Sequence, residues 1–494
     1  MNQKTKWPQF GTLITVFFFW GFVAASNDIL IPVFKDKLQL DQWQSQMISF
    51  AFYVAYTVGA VIYYLISKAI GGDILNRIGY KNGIALGLII STIGALLFYP
   101  AAESASFTLL ITGLFIIGLG YSLQQTAANP LAVSMGDPRT GAQRLSLAGG
   151  INNFGTTIGP VLVSIAIFGS VTSDTAKIAD IGAVSTPYLI LGLLFLIVAL
   201  VFKFSSIPNK IDTELESSKV ATPTDILGPL NMQVERKSSL SYKQLVLGMV
   251  AIFIYVGVEV STASNLPEFM KQHVKTADGL PFPTENIAPF ISLYWASLMM
   301  GRWTSSVGAF NFSNGMKGIL RFVMPYLAFG VFLLINKLAN HDITPFYIYG
   351  FIIVALIVGD FLSKGHPAHQ LFIFSVMAII ALVIGIFSDG LISVYAFTSV
   401  GLFCSTLWPC IYTLAIAGLG KHTGEGSNFL IMMIMGGGII SLLQGYLADT
   451  SIGIQWSYMV GVACFCYLAF YAIKAKSILK SQGIDYDVKV SGGH

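Results

Sequence analysis

Two carboxylates stand in the middle of long apolar runs. Asp28 lies in Ser26-Asn27-Asp28-Ile29-Leu30-Ile31-Pro32, and Glu259 in Tyr255-Val256-Gly257-Val258-Glu259-Val260-Ser261. An acidic group held away from water is expensive, and within membrane segments it faces a cavity or marks an ion path. The chemistry open to both is cation binding, with sodium or a proton as the coupling ion. The other acidic residues of the apolar runs, Glu268, Asp360, Asp389 and Asp449, sit at their ends. Amides recur in the same runs at Asn27, Gln125, Asn129, Asn152, Asn153 and Asn265, and large aromatics at Tyr53, Trp295, Trp408 and Tyr412. Amides both donate to and accept from hydroxyl groups, and aromatic faces cover the C–H surface of a pyranose. The set suits a sugar, although each member is equally at home packing two helices together. Cys404, Cys410, Cys464 and Cys466 have no metal or redox spacing and read as small buried hydrophobes. With no nucleophile–base pair and no metal cluster visible, an enzyme is not expected, nor is a cofactor or a metal beyond sodium at Asp28.

These residues must be positioned by membrane helices. The chain has 494 residues, 54% hydrophobic and only 11% charged, whereas an average soluble protein carries about 25% charged residues. Most soluble enzymes and nucleic-acid binders are excluded by that balance, and the formal net charge of +4 adds no case for nucleic acid. Crossing a bilayer takes about 20 mostly apolar residues. Runs of that kind fall near 11–32, 46–68, 81–100, 107–131, 145–169 and 186–204. A second set falls near 244–266, 287–308, 319–337, 345–362, 370–387, 391–419, 427–447 and 456–474. The run from Gly11 follows Lys4 and Lys6 like a secretory leader, but it continues to Pro32 with no small-residue cleavage site, so it reads as a first span that stays. Residues 205–243, rich in charge and holding Pro208, Pro223 and Pro229, cannot bury enough apolar area to fold and read as a linker.

Lysine and arginine set the orientation. With the N-terminus in the cytoplasm and fourteen crossings, only Lys35, Lys37, Lys177, Lys271, Lys275 and Lys337 of the 28 basic residues fall outside. If just one of the spans 319–337 and 345–362 crossed, Lys364, Lys421 and the basic tail would flip outward, so the two cross together or not at all. The expected domains are an N-terminal bundle 1–204, a cytoplasmic linker 205–243, a C-terminal bundle 244–476 and a cytoplasmic tail 477–494.

Several motifs sit at fixed places in this plan. Gly72-Asp-Ile-Leu-Asn76-Arg77-Ile-Gly79-Tyr-Lys81, between the second and third spans, resembles the loop signature of the major facilitator superfamily. Such a loop needs glycine for a tight turn and charges that latch to neighbouring helix ends. Asn76 replaces an acidic residue there, which weakens a latch built on that charge. Gln124-Gln125-Thr126-Ala127-Ala128-Asn129-Pro130 ends the fourth span. Arg144-Leu-Ser-Leu and Asn152-Asn153-Phe154-Gly155 lie in the fifth, and Gly436-Gly437-Gly438 in the penultimate one. Together with the segments around Asp28 and Glu259, these resemble the fucose–proton symporter and glucose/galactose transporter branch of that superfamily over nearly the whole chain.

The resemblance implies an all-α integral membrane protein with the major facilitator fold: two six-helix bundles around a central sugar cavity, working by alternating access. Fourteen spans exceed that plan by two. Matching Asn129-Pro130 with Trp408-Pro409 leaves the hairpin 319–362 as an insertion, expected to be peripheral to transport. By resemblance Asp28 holds the first-helix aspartate position, Asn152 a sugar-contacting asparagine and Gln125 the place of a glutamate. That last departure puts a two-carboxylate proton scheme in doubt and leaves Glu259, shared with the glucose/galactose branch, as the second cation ligand. The same branch tilts the expectation slightly toward sodium. The expected activity is cation-coupled uptake of a monosaccharide (glucose, galactose, mannose, fucose or N-acetylglucosamine) by a monomer in a bacterial cytoplasmic membrane, with both termini inside. Asn27, Gln125, Asn129, Asn152, Asn153, Glu259, Asn265, Trp295 and Trp408 are expected around the sugar, and Asp28 and Glu259 at the cation. The alternative is a proton-driven exporter of another metabolite or drug, which would prefer a more apolar cavity.

Overall fold

The computed structural model describes residues 5–37, 42–104, 106–168, 182–211, 238–275, 280, 282 and 286–484, apart from the side chains of 24–50 and 160–188. Asn27 and Asp28 are thus outside the described side chains, as is most of the linker. In chain order the main helices before the linker are α1 (Trp7–Lys37), α2 (Gln42–Ala69), α3 (Tyr80–Leu96), α4 (Phe107–Ser134), α5 (Gly141–Phe168) and α6 (Gly182–Phe204). After it come α7 (Lys243–His273), α8 (Ala288–Ser306), α9 (Asn314–Leu338), α10 (Tyr349–Ser363) and α11 (Pro367–Phe387). The chain closes with α12 (Gly390–Cys404), α13 (Leu407–Ile416), α14 (Thr423–Met432), α15 (Gly436–Ala448) and α16 (Met459–Ser481).

Ten helices among the described residues are long and apolar enough to cross a membrane, and Trp7–Val23 and Leu189–Phe204 form shorter apolar stretches. The expectation of about fourteen spans is met only to that extent, because α1, α5 and α6 run into side chains outside the description. Helix α8, which carries Arg302, is not among the ten. Exposed apolar residues line whole helix faces, as with Leu193, Ile197 and Leu200 on α6 or Ile319 and Phe322 on α9. Water would penalise such faces and lipid would not, while the helices satisfy their backbone groups internally.

Without a hydrophobic force between helices in lipid, packing relies on small residues that let backbones approach. Gly87 and Gly94 on α3 meet Gly120 and Gly113 on α4, where an added Cβ at Gly94 would lie 2.6 Å from the Gly113 carbonyl oxygen. On α1, Gly21 faces the Asn152 carbonyl of α5 with no room for a side chain. Helices α1–α6 pack among themselves, as do α7–α16, and the two groups meet where α8 crosses α5 and where α14 crosses α2 and α4. The hairpin α9–α10 packs on α8, α11 and α12. Its Phe346 is buried between Phe290 of α8 and Phe332, and its Tyr326 hydroxyl donates to the Gly350 carbonyl within the hairpin.

Prolines inside the helices, among them Pro130, Pro267, Pro325 and Pro409, leave backbone acceptors open. Proline lacks an N–H, so the carbonyl four residues earlier loses its helical donor. In α4, Pro130 frees the carbonyl of Thr126; in α13, Pro409 frees that of Ser405 where α12 breaks into α13. Other side chains take both carbonyls.

Candidate functional site

At the end of the molecule that carries the linker, the two halves are closed on each other through uncharged contacts. Ser427 Oγ of α14 donates to the Thr126 carbonyl freed by Pro130, at 2.8 Å, and itself accepts from Tyr412 Oη at 2.5 Å. Asn428 Nδ2 donates to the Ala60 carbonyl of α2 at 2.9 Å. Gln143 Nε2 of α5 donates to the Gly365 carbonyl after α10 at 2.7 Å, and Trp7 stacks on Phe310 with ring centroids 4.5 Å apart.

The loop after α2 joins the same seam. Asp73 caps the one-turn helix Ile74–Ile78 by accepting from Leu75 N, and Tyr63 donates to the same carboxylate. The backbone N–H of Glu425, next to Gly424 at the start of α14, faces that carboxylate across the seam. Burial raises the Asp73 carboxyl above the ordinary aspartate range, against the opposing pull of those donors. Gly79 closes the turn at φ +89°, a conformation only glycine adopts without strain. Asn76 does not simply weaken this latch as its lack of charge suggested. Its Nδ2 donates to the Lys421 carbonyl at 3.0 Å, so a neutral amide makes a cross-half bond of its own.

Deeper in, the halves meet at a charged joint. Glu259 lies on α7 with its side chain 13% exposed, and its Oε1 accepts from Tyr255 Oη at 2.6 Å. Arg302 Nη2 of α8 stands 3.8 Å from the same oxygen. The guanidinium also reaches the other half: Nη1 donates to Asn153 Oδ1 at 2.6 Å and to the Gly149 carbonyl at 3.3 Å. Its Nε donates to the Ser405 carbonyl freed by Pro409, at 3.0 Å. Gly149 and Gly150 permit this approach. Trp303 Nε1 donates to the Gly150 carbonyl at 3.2 Å, and a Cβ on Gly150 would sit 2.7 Å from the Trp303 ring. Behind Glu259, Tyr294 Oη donates to the Glu259 backbone carbonyl at 2.8 Å. Trp408 lies beside Tyr255 and stacks on Tyr412, with centroids 6.3 and 6.2 Å away.

The residues expected from sequence divide accordingly. Glu259, Asn153 and Trp408 gather around Arg302 and Tyr255. The backbone carbonyl of Trp295, a side chain 38% exposed, accepts from Asn153 Nδ2 at 3.5 Å. Three of the remaining amides are engaged elsewhere. Gln125 Nε2 donates to Tyr56 Oη at 2.8 Å, Asn152 Nδ2 to the Phe17 carbonyl at 2.9 Å, and Asn265 Nδ2 to the Ser261 carbonyl of its own helix at 2.9 Å. Asn129 is buried with no partner for its Nδ2. Gln124, beside the expected Gln125, is the fully buried structural amide: it accepts from Trp20 Nε1 at 2.9 Å and donates to Ser91 Oγ at 3.0 Å.

Arg302 escapes any reading of the sequence that counts it only as a topology charge. The signal is present, since it lies six residues before the end of the run 287–308, and a basic residue inside a span needs a partner as an acidic one does. Tyr255, Tyr294 and Tyr56 are equally missed, and nothing in their spacing separates them from ordinary packing aromatics.

The family model described as Major Facilitator Superfamily matches residues 13–363. A glucose/galactose transporter of Brucella abortus (strain 2308) is 33% identical over 472 residues, covering 96% of this chain and 95% of that one. The L-fucose-proton symporter of Escherichia coli (strain K12) is 26% identical over 478 residues, covering 94% and 92%. Among solved structures, the transporter FucP in its outward conformation superposes with a TM-score of 0.69 at 25% identity, over 94% of this chain and 98% of that one.

Proposed function

Because this chain belongs to the major facilitator superfamily and is a transporter, not an enzyme, we propose that it imports a monosaccharide together with protons across a bacterial cytoplasmic membrane. The observation that carries this reading is the joint at Glu259. There a carboxylate, two tyrosines, an arginine and an asparagine from opposite halves converge inside a membrane protein, with Trp408 alongside. Glucose and galactose are the first candidates, on the relative at 33% identity. The proton is preferred to sodium because the relatives whose names specify an ion specify the proton; the slight tilt toward sodium and the exporter alternative are dropped.

In this reading the bundles 1–204 and 244–476 rock about the cavity, and the hairpin 319–362 is a lateral insertion outside the transport path. The linker end is cytoplasmic, so the closed seam shuts the sugar path on that side. Asp28 and Glu259 take the proton, while Gln125, Asn152, Asn153 and Trp408 contact sugar. Ligand binding is worth most where it differs between the two states, since a ligand shifts an equilibrium only by its differential affinity.

The test is uptake of a radiolabelled sugar panel by proteoliposomes with an imposed inward proton gradient, in choline or in sodium. Accumulation of glucose or galactose in choline is expected, and its collapse in Asp28→Asn. Accumulation that requires sodium, or survives Asp28→Asn, would reject the coupling; uptake of no sugar in the panel would reject the substrate class.

A further inference from the structure

We propose that Arg302 is a strut between the halves that converts the charge on Glu259 into closure of the linker-end seam. This deepens the reading of Glu259 as a proton site and rests on it only for the identity of the switching ion. All three guanidinium nitrogens are engaged in different directions. Nε is fixed to its own half at Ser405, Nη1 crosses to Asn153 and Gly149, and Nη2 faces Glu259. The arrangement is built rather than incidental. Pro409 exposes one acceptor, Gly149 and Gly150 clear the approach, and the planar fork of arginine reaches several acceptors at once, as a lysine ammonium cannot. Arg302 is a positioning residue, since what it holds is the spacing of the halves.

The consequence for charge is direct. With Glu259 ionised, the guanidinium is neutralised where it touches Asn153 and Gly149, and its burial between the halves is tolerated. When Glu259 gains a proton, an O–H bond forms on the carboxylate and the guanidinium is left beside carbonyls and an amide with no counter-charge. An unpaired, largely buried cation is costly; the guanidinium is 12% exposed in the closed seam, and parting of the halves hydrates it further. Glu259 faces Tyr255 on its own helix, Arg302 and Tyr294 on α8, and Cys404 on α12. The residues α15 lays against α7, Gly436, Gly437 and Ile440, carry no charge. Among the described residues at the joint, Glu259 is the acidic side chain that faces Arg302.

The experiment uses the full chain in nanodiscs without sugar, with Cys466→Ser and spin labels at Gly72→Cys and Lys480→Cys, one exposed site in each half at the linker end. Double electron–electron resonance then reads the ratio of closed to open seam at about pH 4 and about pH 9, below and above the ordinary glutamate value of about 4.3. The wild type should lose closed population at the lower pH. Arg302→Gln should lower the closed ratio by roughly tenfold at both pH values, the counterpart of about 1.4 kcal/mol, and abolish the response to pH. Glu259→Gln should behave alike, and the double variant should add little to either single one. Arg302→Lys, which keeps the charge without the fork, should retain the pH response from a lower closed ratio and guards against misfolding of the glutamine variant. An Arg302→Gln protein that closes and responds to pH as the wild type does would overturn the strut, whatever its sugar uptake. Expected distances in a protein that moves no sugar would instead leave the strut standing and remove the proposed substrate.

Discussion

The seam offers a prediction in which proline, not hydrogen-bond length, decides the magnitude. Ser427 and Asn428 are neighbours on α14, and each donates across the halves to a backbone carbonyl, at 2.8 and 2.9 Å. The acceptors differ. Ala60 lies within α2, so its carbonyl keeps an ordinary helical partner when Asn428 is lost. Asn428 Oδ1 is moreover buried with no partner, so Asn428→Ala also removes an orphan acceptor. The net loss is that of an ordinary hydrogen bond, about 1 kcal/mol, or roughly fivefold in the closed-to-open ratio. Thr126 has no such reserve, because Pro130 supplies no N–H. Ser427→Ala leaves that carbonyl, and the Tyr412 hydroxyl, without their buried partner. The cost of an unmet buried group is about 1–3 kcal/mol, roughly 5- to 150-fold in the same ratio. Because both bonds cross the seam, the change should appear in the spin-label distances between Gly72 and Lys480 more than in thermal unfolding of the whole protein. A larger shift for Asn428→Ala than for Ser427→Ala would refute the argument from the freed carbonyl.

Other expectations rest on single contacts. Gly21→Ala drives a methyl into the Asn152 carbonyl, and overpacking of this kind costs about 1–3 kcal/mol, to be read as a lower unfolding midpoint in nanodiscs; an unchanged midpoint would mean α1 and α5 separate freely. For Asp73, a carboxyl raised by burial favours the folded protein below the ordinary aspartate range, and that contribution is lost as pH rises through the raised value. The wild type should therefore gain stability relative to Asp73→Asn as pH falls through this window, and a pH-independent difference would contradict the assignment. Asn152→Ala should weaken sugar binding by about 1–3 kcal/mol, measured by equilibrium exchange, whereas unchanged affinity would confine Asn152 to its bond with Phe17. A cysteine at Ser217 in the linker should react with an impermeant thiol reagent only from the cytoplasmic side; labelling of intact cells from outside would invert the topology.

What the sequence made legible, and what it hid, have physical causes. Membrane helices announce themselves because lipid demands unbroken apolar runs, and ten of the fourteen runs return among the described residues as helices long and apolar enough to span; the proposed place of the hairpin rests on matching Asn129-Pro130 with Trp408-Pro409. Side-chain destinations obey a weaker constraint. An amide in a span must find some partner, yet nothing in the sequence says whether it is a ligand or the next helix: Gln125 finds Tyr56, Asn152 finds Phe17 and Asn265 its own Ser261. Prolines carry the missing information better than the amides do. A proline in a span identifies, four residues earlier, a carbonyl that must be satisfied from outside its own helix. Here two such carbonyls, at Thr126 and Ser405, lead directly to Ser427 on the seam and to Arg302 at the joint. Asking which side chain could reach each freed carbonyl would have turned Arg302 from a topology charge into a candidate for the centre of the molecule. The same question applies to Pro267 in α7, which frees the carbonyl of Ala263 one turn beyond Glu259. That carbonyl lies on the helix that carries Glu259, and the proline lets α7 bend there.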